Sequence, residues 1–181
     1  TREVMTESIM IEIELIRSKN LTNENLDKLY RTSKKLIDSF GHEVIVLNIL
    51  YTCMGLIKIL QKDYNKAIDI LLKSRDIGQD LKCIDEDSAV LIPLAKKYLG
   101  EEISSELLKL EERIKNDNVD YSYWMNYYLY QLFGENKGTK YLNKAVNQIN
   151  KMQSNLKDIA LKEFSHTNHV ELIIEEWEKI K

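Results

Sequence analysis

Apolar side chains recur at intervals of three and four residues along almost the whole chain, with polar side chains between them. Segment 23–40 shows this pattern clearly. Its apolar stripe consists of Leu26, Leu29, Tyr30, Leu36 and Ile37. Such spacing is typical of amphipathic helices, because one helical turn takes 3.6 residues. The sequence therefore predicts an all-α fold.

Polar interruptions divide this pattern into about ten helices, which we expect to pair as five antiparallel hairpins. The predicted helices span residues 3–18, 23–40, 43–60, 64–79, 85–100, 101–116, 119–133, 138–153, 156–164 and 168–181. Segment 43–60 is rich in Ile and Val, so a strand is conceivable there. Its length favours a helix, because strands average about 5–6 residues. The turns between the helices are short, and no low-complexity linker separates the hairpins. This predicts one stacked domain over residues 1–181.

The composition narrows the class of protein. One proline and six glycines in 181 residues favour long helices over turn-rich β structure. The net charge of -3 gives no reason to expect a nucleic-acid partner, which usually meets a concentrated basic face. The longest uncharged stretch, 44–57, is too short to span a bilayer, so we expect no membrane segment.

Two further features bear on the cellular compartment of the chain and on whether it is part of a larger protein. Cys53 and Cys83 make neither a disulfide framework nor a metal cluster, which favours a reducing compartment and a cytoplasmic location. The chain begins at Thr1 rather than Met. We therefore expect it to be a fragment of a larger protein.

The clearest internal unit covers residues 48–81. Its first helix carries an aromatic, a large apolar and a small residue at regular spacing, and its second helix carries a small, a large and a small residue. These positions are Tyr51, Met54, Gly55, Ala67, Leu71 and Ser74. The unit resembles a tetratricopeptide repeat (TPR), a helical hairpin of about 34 residues. Lys58 and Gln79 depart from the family pattern, which often has Tyr and Pro at these two places.

Small residues in such a unit have a packing reason. Two helices approach within about 8–10 Å where small side chains lie at their contact. A glycine inside a helix costs about 1 kcal/mol relative to alanine, so its presence needs such a reason. We therefore expect Gly55 and Ala67 to face each other between the two helices.

A second unit resembles the same family. Gly138, Leu142 and Ala145 occupy the small, large and small positions of a second repeat helix, and counting back places Asn126 at the small position of the preceding helix. Residues 162–177 resemble segments that close helical-repeat regions in large bacterial signalling ATPases and regulators. The resemblance implies a TPR-like α-solenoid that binds a protein or a peptide.

Segment 119–133 carries aromatic side chains on every side of one predicted helix. Tyr123, Tyr127 and Tyr130 form a stripe which, in the register set by Ala145, matches family positions that line the concave groove. Tyrosine suits a binding surface, because it offers a large area and a polar tip at little cost in rotamer entropy. We predict that these tyrosines and Gln131 bind the partner. The alternative is that the stripe is buried against neighbouring helices.

Catalytic and metal-binding patterns are weak. His166 and His169 are three residues apart, but zinc needs three or four ligands, and both histidines are expected to face water near a helix start. No Ser/His/Asp or Cys/His set has the spacing of a known catalytic site, so we expect neither an enzyme nor a cofactor or metal site.

The sequence predicts a non-catalytic scaffold or regulatory module of a larger signalling protein. The alternatives are self-association through terminal helices into a homo-oligomer, and an enzyme with an unrecognised site.

Overall fold

The computed structural model describes residues 8–11, 14–15, 21–40, 44–80, 86–117 and 121–181. Within these ranges every regular element is a helix and no strand occurs, which confirms the all-α prediction for the described chain. Residues 8–11 and 14–15 are helical. The helices that follow are α1 (Asn23–Phe40), α2 (Val44–Leu60), α3 (Tyr64–Asp80), α4 (Glu86–Tyr98), α5 (Ser104–Asp117), α6 (Tyr123–Ser154), α7 (Asp158–Ser165) and α8 (Asn168–Ile180).

The observed bounds agree with most of the predicted helices to within a few residues. Much of the predicted helix 3–18 lies outside the described residues. The main difference lies in α6, which was predicted as two helices separated by a turn of four residues. The turn is a break at Gly134, with φ 72° and ψ 175°, after which helical structure resumes at once.

The chain divides into two compact units: the described residues up to Ile103, and those from Ser104 onward. In the first unit, α2 packs against α1, α3 and α4, and α3 also packs against α4. A turn of three residues, 61–63, connects α2 to α3, so these two helices form an antiparallel hairpin. The neighbours around α2 explain why its sequence is apolar on nearly every side.

The core of the first unit lies between the N-terminal helical segment, α1 and α2. Its buried members are Ile11, Leu15, Leu26, Leu29, Leu36, Val46, Leu50, Cys53 and Ile57. These side chains come from the apolar stripes that predicted the helices. Burial of such stripes supplies most of the stability of short helices, which are marginal alone in water.

The repeat positions of α2 and α3 lie in their mutual contact. Ala67, Leu71 and Ser74 are fully buried. A Cβ atom added to Gly55 would lie 2.5 Å from Cδ2 of Leu71 and closer still to its Cγ. Gly55 therefore faces Leu71, and the expected pairing with Ala67 stays a prediction. The small residue makes room for the buried leucine side chain of the facing helix.

In the second unit the two arms of α6, residues 123–133 and 135–154, lie side by side. Asn126 Nδ2 donates to Gln148 Oε1 over 3.1 Å, and the rings of Phe133 and Tyr141 stack at 5.4 Å. The predicted hairpin of these two segments is thus present. A Cβ atom on Gly138 would lie 2.7 Å from the carbonyl oxygen of Tyr130, which explains the small residue at this position.

The remaining helices of this unit pack on that hairpin. Helix α6 contacts both α7 and α8, and these two contact each other. Leu142 and Ala145 are fully buried, as the repeat pattern requires of them. Membership of the TPR family, and the stacking of all hairpins into one solenoid and one domain, stay predictions. No helix in the described part of the chain is both long enough and apolar enough to cross a membrane.

Candidate functional site

The predicted tyrosine stripe lies in the interior of the second unit. Tyr123, Tyr127 and Tyr130 are only 7%, 8% and 5% exposed. The edge of one ring meets Phe164 of α7, since the ring centroids of Tyr123 and Phe164 lie 6.0 Å apart at an interplanar angle of 81°. Two other rings of the stripe, Tyr127 and Tyr130, stack on each other at 6.5 Å.

Helix α8 contributes a polar contact to the same face. The hydroxyl of Tyr130 donates to Oε1 of Glu176 over 3.0 Å, and Gln131 forms a hydrogen bond with Tyr127. The expectation of an open groove floor is therefore wrong, because α7 and α8 fold back onto this face. The partner-binding role of Tyr123, Tyr127, Tyr130 and Gln131 stays a prediction.

The contact between Tyr130 and Glu176 has a clear electrostatic character. Burial raises the pKa of Tyr130 to about 12, and the hydrogen bond to the Glu176 carboxylate acts in the same direction. The hydrogen bond from Lys179, 3.0 Å from Oε2, lowers the pKa of Glu176 below its ordinary value of 4.5. Both shifts favour a neutral tyrosine that donates to an ionised carboxylate.

A second polar contact ties α8 to α6. Nε2 of His169 lies 3.0 Å from the hydroxyl of Tyr128, and His169 is 1% exposed. The expectation that this histidine faces water is wrong. It lies four residues before the buried Ile173, so helical periodicity could have placed it on the inner face of α8. His166 is exposed as expected and lies 2.9 Å from Glu171.

Sequence reasoning missed a polar group in the first unit, where the α2–α3 turn meets α1. We call it the Tyr30 cluster, and its members are Asp27, Tyr30, Lys58, Gln61 and Lys66. Nζ of Lys58 lies 4.4 Å from the centroid of the Tyr30 ring, and Nζ of Lys66 lies 5.7 Å from the same centroid. Two ammonium groups thus share one aromatic ring, a favourable arrangement for each of them.

Hydrogen bonds link the cluster across the turn. Lys58 Nζ donates to Gln61 Oε1 over 2.6 Å, and Gln61 Nε2 donates to Asp27 Oδ1 over 2.8 Å. In the described part of the chain, neither the Lys58 ammonium nor the Lys66 ammonium has a carboxylate within ion-pair distance. The departure of Lys58 from the repeat pattern was the sequence feature that could have pointed to this cluster.

The described residues contain no group of three or more His, Cys, Asp or Glu side chains that could hold a metal ion. Comparisons with family models, with curated proteins and with solved structures gave no match.

Proposed function

We propose that the chain is a non-catalytic module that binds a protein or a peptide, as part of a larger signalling protein in the cytoplasm. The observation that carries this proposal is the Tyr30 cluster. Tyr30 is partly exposed, and two ammonium groups without a carboxylate partner in the described chain lie over its ring. Tyrosine is enriched among the residues that dominate binding energy at interfaces.

The setting of the cluster supports the same function. It lies on α1–α3, which include the unit that resembles a tetratricopeptide repeat, and its members come from three helices and the turn after α2. Binding groups placed on packed helices are held more rigidly than groups on loops. Contacts of the buried Leu71 with Gly55 and of Ser74 with Thr52 hold α2 and α3 together.

Self-association through the C-terminal helix α8 is less well supported. The solvent face of α8 carries Glu171, Glu175 and Glu178, and Leu172 is its large apolar side chain, 39% exposed. A dimer interface usually has a larger contiguous apolar patch at its centre. Two acidic helices of this kind would also repel each other.

The proposal is tested by isolating a partner and rebuilding the complex from purified components. The chain is immobilised, bound proteins are identified by mass spectrometry, and each is purified and titrated by calorimetry. We expect at least one of them to bind with saturation. If none of the purified candidates binds the wild-type chain, the proposed function is wrong.

Two charge-reversed variants locate the binding surface. Lys66→Glu should weaken the affinity by about tenfold, because it replaces an exposed cation of the cluster. Lys73→Glu is the matched control, since Lys73 lies on the same helix and its Nζ lies 5.8 Å from the centroid of another ring, Tyr51. Equal affinities for the two variants would show that the partner binds elsewhere.

A further inference from the structure

Two tyrosine rings from neighbouring helices meet at the surface of the first unit. Tyr64 is the first residue of α3, and Tyr98 is the last residue of α4. Their ring centroids lie 5.1 Å apart, with an interplanar angle of 37°. Tyr64 is half-buried and Tyr98 is 42% exposed. A reagent in solution can therefore reach the pair through Tyr98.

The tyrosine contacts of the second unit are of another kind. The ring centroid of Tyr127 lies 6.0 Å from that of Tyr128 and 6.5 Å from that of Tyr130. These three residues belong to one helix, and none of them is more than 8% exposed. The contact of Tyr64 with Tyr98 differs from this buried group in two ways, because it joins two helices and has a member that is open to solvent.

Neighbouring phenol rings of this kind can be joined by a one-electron oxidant, such as a haem peroxidase supplied with hydrogen peroxide. Each phenol loses one electron and one proton and becomes a phenoxyl radical, while one peroxide molecule is reduced to two water molecules. The two radicals combine through the ring carbons next to their oxygens, which forms one carbon–carbon bond. The hydrogen on each of these carbons then moves to the oxygen of its own ring. Both phenols are restored, and the net loss is two hydrogen atoms.

The observed arrangement lies close to that of the joined rings. Two rings linked by a C–C single bond of about 1.5 Å have centroids about 4.3 Å apart. The present separation of 5.1 Å therefore has to shorten by less than about 1 Å. The rings must also turn from a tilted contact into an edge-to-edge one. The χ2 torsion of tyrosine is soft, and Tyr98 lies at the exposed end of its helix, so this turn needs no repacking of the core.

We propose that Tyr64 and Tyr98 form an oxidative modification site, at which a one-electron oxidant links α3 to α4 as dityrosine. The two residues are 34 positions apart, so the bond closes a loop and restricts the unfolded chain as a disulfide would. The melting temperature of the first unit should rise by about 10 °C. Thiol reductants do not cleave the carbon–carbon bond. The cross-link does not depend on the proposed binding function.

The site is tested on the folded wild-type chain at low concentration, where coupling within one chain is favoured over coupling between chains. The chain is treated with a haem peroxidase and hydrogen peroxide, and then with a thiol reductant that removes any disulfide. The monomer is isolated, digested and analysed by mass spectrometry. We expect a linked peptide pair that contains Tyr64 and Tyr98 and is lighter than the two free peptides by two hydrogen atoms. If linked peptides join other tyrosines only, or if cross-links form only between chains, the proposal is overturned.

Two conservative variants show which ring reacts. Tyr98→Phe lacks the phenol and should remove nearly all of the dityrosine fluorescence of the oxidised monomer. Tyr51→Phe is the matched control, since Tyr51 is a half-buried tyrosine of the same unit, and it should keep the full signal. Equal signals from the two variants would contradict the assignment. Melting curves confirm that both variants are folded, and if one is not, the linked peptides of the wild-type chain still decide the question.

Discussion

At the scale of single residues, Gly55 and Gly134 show two different reasons for a glycine in a helical chain. Gly55 has helical backbone angles and is required for space, because Leu71 fills the position that its Cβ would take. Gly134 has open space around it and is required for its backbone conformation. With φ 72° and ψ 175°, it lies in a region that is essentially restricted to glycine.

Gly55→Ala should destabilise the first unit although alanine favours helix. The new Cβ overlaps the fully buried Leu71, and overpacking of this kind costs about 1–3 kcal/mol. Urea denaturation of the variant measures the loss. In the background of Leu71→Ala the same change should cost much less, because the clash is removed. Equal losses in both backgrounds would show that Leu71 is not the residue that requires the glycine.

At the scale of elements, the helices could be predicted and their packing partners could not. Periodicity located α1 to within one residue, because each helix buries one stripe and exposes the other side. The stripe of Tyr123, Tyr127 and Tyr130 was assigned to a groove by its register alone. Which helix covers a given face depends on how the chain returns after a break, and neither periodicity nor composition encodes the return of α7 and α8 onto α6.

Tyr127→Ala should therefore destabilise the second unit rather than only weaken binding. The ring is 8% exposed, and truncation of a buried aromatic side chain costs about 3 kcal/mol or more. Thermal melting checks this. Tyr98→Ala is the matched control, since Tyr98 is 42% exposed and should melt close to the wild type. A stable Tyr127→Ala variant would place the stripe outside the core after all.

The contact of α8 with α6 should depend on pH in two ranges. The pKa of Glu176 is lowered from 4.5, so its contribution to stability is complete above about pH 4.5 and is lost as the pH falls further. The pKa of Tyr130 is raised from 10.0 to about 12, so its contribution is complete below pH 10 and is lost towards pH 12.

Melting temperatures measured across both ranges check these directions. Tyr130→Phe cannot ionise at this position and should flatten the alkaline decline, whereas Glu176→Gln should flatten the acidic one. Other groups titrate in the same ranges, so the comparison with each variant is what isolates the contact. A Tyr130→Phe variant with the full alkaline decline would contradict the assigned role of this hydroxyl.

At the scale of the whole molecule, the described chain forms two helical units, and the first of them carries the proposed binding surface. The prediction of an all-α chain followed from the apolar pattern, which records burial directly. The Tyr30 cluster could not be predicted, because its members are distant in sequence and their meeting depends on the packing of α1 against the α2–α3 hairpin. Lys58 alone stood out, since it interrupts an otherwise apolar helix.

The central claim is that the chain binds a partner through the Tyr30 cluster. Hydrogen–deuterium exchange of the chain, with and without a partner identified as described above, tests it most directly. We expect slower exchange in the segments of α1 around Tyr30 and of the α2–α3 turn, with α8 unchanged. Protection confined to α6, with faster exchange in α8, would contradict the claim, because it would place the partner on the tyrosine stripe instead.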